Sequence, residues 1–208
     1  MNCSTFQDLL PRFVAVLAIV LLSQSTQAQE LPSIFNGKDL DGWKVPEGKN
    51  VWFTVDDGVL NVQSGPEKKG QTLWTKKEYE NFVMKFDFKF GTGTNDTGIY
   101  IRNDREQIQI GISGSLKRDM TGLPYIPGKK YPVNGEKVEK VIASVLKLKD
   151  WNSMTIAAIG KTYTVWINGT YIMNYESESA EKKGPIGIQL HGNREMSCHY
   201  RSIKLAEL

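Results

Sequence analysis

Phe82-Val83-Met84-Lys85-Phe86-Asp87-Phe88-Lys89-Phe90 decides the fold class. In an extended chain Phe82, Met84, Phe86, Phe88 and Phe90 fall on one face, and Lys85, Asp87 and Lys89 on the other. A strand has this period of two, whereas a helix would scatter the phenylalanines around its circumference. The same alternation recurs on both sides of this stretch. Val51–Val55 and Val59–Gln63 flank Asp56-Asp57-Gly58, a hairpin signal. Tyr163–Ile167 and Tyr171–Tyr175 flank Asn168-Gly169-Thr170, where Asn-Gly tolerates positive φ. Further strands are expected at Thr72–Thr75, Gly98–Arg102, Gln107–Ile112, Met154–Ile159, Ile186–His191 and Tyr200–Leu205, and the one helical candidate is Val138–Leu146. Ten or more short strands separated by turns predict an all-β, antiparallel two-sheet jelly-roll sandwich. The weakly periodic segment Ser113–Lys149, holding Pro124, Pro127 and Pro132, is expected to lie over one sheet as a long excursion and to form a lid or a binding wall.

Composition is that of a globular chain. Of 208 residues, 40% are hydrophobic and 24% charged, which argues against disorder. A formal net charge of +3, without any Lys/Arg stripe, gives no reason to expect a nucleic-acid partner. Arg12 precedes the apolar run Phe13–Leu22, whose ten residues would span about 15 Å as a helix, short of a bilayer core of about 30 Å. A polar stretch with small residues at Thr26 and Ala28 follows. Residues 1–28 therefore read as a secretory signal peptide cleaved after Ala28. Residues 29–208 are expected to form one domain, periplasmic or secreted, with no membrane association after cleavage. Cys198 is then the sole cysteine, which excludes an internal disulfide.

Three of the expected strands divide their faces in the same way. In Gly98–Arg102 the isoleucines oppose Gly98, Tyr100 and Arg102. In Gln107–Ile112 they oppose Gln107, Gln109 and Gly111. In Ile186–His191 the second face carries Gly187, Gln189 and His191. If these strands are neighbours, they build one wall of amide, guanidinium, phenol and imidazole groups, with glycines leaving room for a ligand against the backbone. Such a wall suits a carbohydrate partner: amides and Arg bond hydroxyls, and aromatic rings cover apolar C–H faces.

A glycosidase ordinarily needs two carboxyl groups about the scissile bond. Glucanases on this type of sandwich place them along one strand face, where this chain has Gln107 and Gln109, and an amide cannot cycle a proton near neutral pH. Asp87, Asp96, Asp104, Glu106 and Asp119 remain as candidate acids. His191 and His199 lie in no zinc-type spacing, so no metal and no cofactor are expected. His191 is the stronger candidate for chemistry because it shares a face with Gln189. No nucleophile-elbow, metalloprotease, P-loop or dinucleotide motif occurs.

An ordered set of segments resembles the 3-keto-disaccharide hydrolase family. Ile34-Phe35-Asn36-Gly37-Lys38-Asp39-Leu40-Asp41-Gly42-Trp43 is similar to the family's opening. Leu73-Trp74-Thr75, Thr97-Gly98-Ile99-Tyr100-Ile101-Arg102, Trp151-Asn152, Val165-Trp166-Ile167-Asn168-Gly169 and Gly184-Pro185-Ile186-Gly187-Ile188-Gln189-Leu190-His191-Gly192 follow in order, across residues 31–208. The resemblance implies a concanavalin A-like jelly roll and hydrolysis of glycosides oxidised to a ketone at sugar carbon 3, by β-elimination and water addition. On that implication His191 transfers protons, Arg102 anchors the enolate or a hydroxyl, and Tyr100, Gln107, Gln109 and Gln189 bind the sugar. Members resembling this chain often read Glu-x-Gln in place of Gln107-Ile108-Gln109, and Asn-Ser-Gly in place of Asp96-Thr97-Gly98. A carboxylate absent at 107 and present at 96 makes Asp96 the expected replacement if both positions line one pocket. The alternative is a non-catalytic carbohydrate-binding module on the same fold.

Overall fold

The computed structural model describes residues 30–126, 128 and 130–208; the leader expected over residues 1–28 lies outside the described residues. Thirteen strands and one helix are found there: β1 (Trp43–Lys44), β2 (Phe53–Asp56), β3 (Val59–Gln63), β4 (Gln71–Tyr79), β5 (Phe82–Gly93), β6 (Asp96–Ile101), β7 (Gln107–Gly111), β8 (Pro124–Tyr125), α1 (Glu136–Val145), β9 (Asn152–Ile159), β10 (Thr162–Ile167), β11 (Thr170–Glu176), β12 (Gly184–Leu190) and β13 (Met196–Glu207). They form a six-stranded sheet, β1-β4-β12-β6-β7-β8, and a seven-stranded sheet, β11-β10-β9-β5-β13-β3-β2. All strand pairs are antiparallel. This is the two-sheet jelly roll that the alternation predicts.

The core lies between the inner faces of the sheets. Phe82, Met84, Phe86 and Phe88 of β5 are buried, as are Ile99, Ile101, Ile108, Ile110, Ile186 and Ile188 from the opposing sheet. Lys85 points outward to water, and Phe90, where β5 leaves the core, is half-buried. Both expected hairpin turns have the required left-handed backbone, with φ of 44° and 75° at Asp57 and Gly58, and of 51° and 80° at Asn168 and Gly169.

The 113–149 excursion does not lie over one sheet. Its first half runs beside β7 and adds β8 to the edge of the six-stranded sheet, while α1 packs against β11 at the edge of the other. The reason is local. Pro124 and Tyr125 pair with Ile108 and Gln107, and Ile142 of α1 is buried in the common core. Among the described residues no helix is long and apolar enough to cross a membrane.

Candidate functional site

The three strands singled out by their divided faces are adjacent, in the order β12-β6-β7, with β4 flanking β12. Register aligns their polar residues. Tyr100 faces Gly187 on one side and Gln107 on the other, Gly98 faces Gln109, and Gln189 faces Thr72 of β4. Alternation that sends the isoleucines inward sends Asp96, Gly98, Tyr100, Gln107, Gln109, Gly187 and Gln189 to the outer surface of the six-stranded sheet. Gly98 is needed there, because a Cβ would sit 2.7 Å from the Ile108 carbonyl oxygen and 3.0 Å from the Gln107 amide.

A cleft with two lobes opens on this face. The polar lobe, about 320 Å³, is bounded by Asp96, Gln107, Gln109, Tyr125, Tyr131 and Arg194, with Ser113–Ser115 at its side. The aromatic lobe, about 600 Å³, is bounded by Thr72, Trp74, Tyr100 and the Lys44–Glu47 segment. Gln189 and His191 border both. Cavities of roughly 300–1,000 Å³ are the usual size for small-molecule sites.

Asp96, 4% exposed, is the electrostatic centre of the polar lobe. Its Oδ1 accepts from Gln109 Nε2 at 2.7 Å, and Gln109 Oε1 in turn accepts from Gln107 Nε2 at 2.9 Å. Its Oδ2 accepts from the Gly114 amide at 3.0 Å and pairs with Arg194 Nη1 at 2.9 Å. His191 Nε2 stands 3.9 Å from the same oxygen. His191 Nδ1 lies 2.7 Å from the Gly192 carbonyl oxygen. A carbonyl oxygen only accepts, so Nδ1 carries the proton and Nε2 is the bare nitrogen of the neutral ring.

Gln189 Nε2 donates to the Tyr100 hydroxyl at 2.6 Å. The buried Gln107 Oε1, Gln189 Oε1 and Arg194 Nε have no partner among the described residues. Burial pushes the Tyr131 phenol up to about 12, against the lowering effect of its bond with Ser113, and burial also raises Tyr100 and Tyr125. All three are neutral hydroxyl donors at ordinary pH.

Of the expected site residues, Asp96, Tyr100, Gln107, Gln109, Gln189 and His191 border this cleft. Arg102 does not. Strand β6 ends at Ile101, and Arg102 takes a left-handed φ of 64°, which ends the alternation that would have placed it beside Tyr100. Its side chain, 3% exposed, turns to the other sheet. There Nη1 donates to the carbonyls of Gly160 (2.6 Å) and Glu181 (2.9 Å), and Nη2 donates to that of Ala158 in β9 (3.1 Å). Arg102 therefore joins sheets and does not face the cleft.

The cationic group of the polar lobe is Arg194, which no strand pattern marks because it sits in the bend at 192–194. Glu106, one of the candidate acids, is also elsewhere. It is buried and accepts from the hydroxyls of Tyr163 (2.6 Å), Ser177 (2.7 Å) and Ser179. Asp87 pairs with Arg201 on the outer face of the seven-stranded sheet.

The architecture is that of the two-sheet jelly-roll sandwiches. Within that class, the chain belongs to the 3-keto-disaccharide hydrolase family, described as the 3-keto-alpha-glucoside-1,2-lyase-like domain, whose model matches residues 30–206. No curated protein matches the chain in sequence. Two crystal structures from Parabacteroides distasonis, both provisionally described as glycosyl hydrolases, are similar. One is 19% identical with a TM-score of 0.64 and covers 90% of this chain and 98% of its own. The other is 23% identical with a TM-score of 0.60 and covers 86% and 100%. The carbohydrate-binding module CBM66 from Bacillus subtilis, 10% identical, covers 80% of this chain and 96% of its own with a TM-score of 0.52. At these identities the likenesses establish the fold.

Proposed function

We propose that the protein is an exported hydrolase that cleaves 3-keto-glycosides by elimination followed by hydration. The observation that carries this reading is His191. Its Nδ1 lies against a backbone carbonyl, which leaves Nε2 as the accepting nitrogen of the neutral ring, at the junction of the two lobes and beside a buried carboxylate.

A ketone at sugar carbon 3 acidifies the proton on carbon 2. His191 Nε2 removes that proton, and the electron pair passes to the ketone oxygen as an enolate. Collapse of the enolate forms the carbon 1–carbon 2 double bond and breaks the bond from carbon 1 to the leaving oxygen, which takes the proton from the imidazolium. Water then adds to carbon 1 of the enone while His191 takes its proton and returns it to carbon 2. The net change is hydrolysis, and no second carboxyl group is required.

Arg194, in place of the expected Arg102, holds the enolate oxygen, where a fixed cation in a shielded cleft is worth most. Asp96 steadies the imidazolium and the guanidinium and acts as a positioning residue. Gln107, Gln109 and Gln189 orient the hydroxyls of the oxidised sugar, and Tyr100, in the aromatic lobe, contacts the rest of the substrate. The family description as a 1,2-lyase-like domain supports elimination across carbons 1 and 2.

The test is incubation with a 3-keto-disaccharide, following release of free 3-keto sugar. A second reading, a carbohydrate-binding module, is favoured by one feature: both Asp96 oxygens already have donors, as in a static recognition wall. Glycan binding without turnover would select it.

A further inference from the structure

We infer that the aromatic lobe is the leaving-group subsite and that Trp74 is the side chain that holds the leaving sugar there. This rests on the elimination reading above, which does not say where the leaving group lies. Among the described residues, the two lobes share Gln189 and His191 alone. A base that takes the proton from carbon 2 must lie beside carbon 1, so the bond that breaks lies over this junction. The polar lobe holds Asp96, Arg194 and the amides that the oxidised sugar needs. The leaving group must then extend into the other lobe.

The chemistry of that lobe differs from its neighbour's. Trp74 and Tyr100 stack with ring centroids 5.4 Å apart and planes 21° from parallel, on either side of Gly187. A Cβ at Gly187 would meet Trp74 Cζ3 at 2.6 Å and Thr72 Cγ2 at 2.8 Å, so the indole edge occupies a notch that only glycine leaves. Tyr100 covers one indole face, and the rest of this half-buried ring borders the lobe. Aromatic surface of this kind covers the apolar C–H face of a sugar ring. The charged residues of the lobe are Lys44 and Glu47, one of each sign, so its charges balance and do not select an ionic ligand. At about 600 Å³ it is roomier than the polar lobe.

The experiment compares two substrates with the same 3-keto-glucosyl unit, one with glucose and one with methanol as leaving group, on the wild-type chain and Trp74→Ala. The expected result is an approximately tenfold fall in kcat/KM for the disaccharide, the equivalent of one good aromatic contact, with the methyl glycoside changed less than about twofold. A parallel fall for both substrates, or no fall for the disaccharide, overturns the subsite. If the wild-type chain cleaves neither substrate, the elimination reading fails. The subsite is then decided by calorimetric binding of the unoxidised disaccharide and the methyl glucoside, where loss confined to the disaccharide in Trp74→Ala supports it and equal loss refutes it. If Trp74→Ala does not fold, Trp74→Phe keeps a ring over Gly187. It should show the same selective loss at about threefold, and a non-selective loss refutes the assignment.

Discussion

Replacing Asp96 by Asn removes one charge with almost no change of shape, and the structure says where the cost falls. An Asn side chain presents one carbonyl and one amino group to partners that are all donors: Gln109 Nε2, the Gly114 amide and Arg194 Nη1. The Gln109 side can adapt. If the Asn amino group faces Gln109, that amide flips to accept, and its own amino group then faces Gln107. Gln107 flips in turn, because its Oε1 has no partner to lose. The relay reverses with every bond remade.

The Oδ2 side cannot adapt. The Gly114 bond survives with a neutral acceptor and the remade Gln109 bond is neutral too, whereas the Arg194 bond keeps its charged donor. A bond to a charged group contributes about 1.5–3 kcal/mol and a neutral one about 0.5–1.5 kcal/mol, so the Gly114 and Gln109 bonds each lose about 1 kcal/mol. Arg194, its side chain 23% exposed, also loses its counterion, a cost that water partly offsets. The expected destabilisation is about 2–3 kcal/mol, or roughly 5–10 °C in Tm for a domain of this size. Urea and thermal unfolding at pH 7 measure it. In an Arg194→Met background the same substitution should cost about 1 kcal/mol, because the two residues couple. A loss below about 0.5 kcal/mol in the wild-type background, or equal losses in both backgrounds, would refute the claim that Asp96 and Arg194 form the electrostatic centre of the cleft.

The other expectations concern single residues. His191→Ala should lower turnover of a 3-keto-disaccharide by about 10² or more with glycan binding retained, and a near-normal rate removes it from proton transfer. Adding Gln107→Glu to Asp96→Asn moves the charge to the far end of the reversed relay and should recover part of the turnover lost by Asp96→Asn; no recovery would show that the charge must sit at 96. Arg102→Met should destabilise the fold by about 2–4 kcal/mol through three lost carbonyl bonds, while activity well below the melting temperature stays within roughly twofold; selective loss of activity would return Arg102 to the site. Cys198 is buried and its thiol is pushed up to about 12 by that burial, so a thiol reagent at neutral pH should label it only on unfolding.

What could be read from the residues followed from alternation and turn chemistry. The isoleucine faces of 98–101, 107–110 and 186–188 assigned both the core and the adjacent polar wall, and Asn168-Gly169 and Asp57-Gly58 supplied the left-handed turns. Alternation misled where it was carried one residue too far, at Arg102, because the strand end depends on a backbone twist that the side-chain pattern does not encode. Arg194, Tyr125 and Tyr131 come from turns and from the excursion, where no period exists, and only the folded chain brings them to Asp96. Trp74 was within reach. Leu73 and Thr75 are buried, so Thr72 and Trp74 share the outer face, but nothing in the sequence stated that their strand lies beside β12.

The notch at Gly187 ties two distant positions together in descent. Any side chain larger than hydrogen at 187 would evict the indole, and a small residue at 74 would leave the notch empty. Neither position can drift alone without a loss, so an aromatic residue at 74 and glycine at 187 should be gained and abandoned as one inherited unit across related chains, and relatives that replace the glycine should also lack the ring.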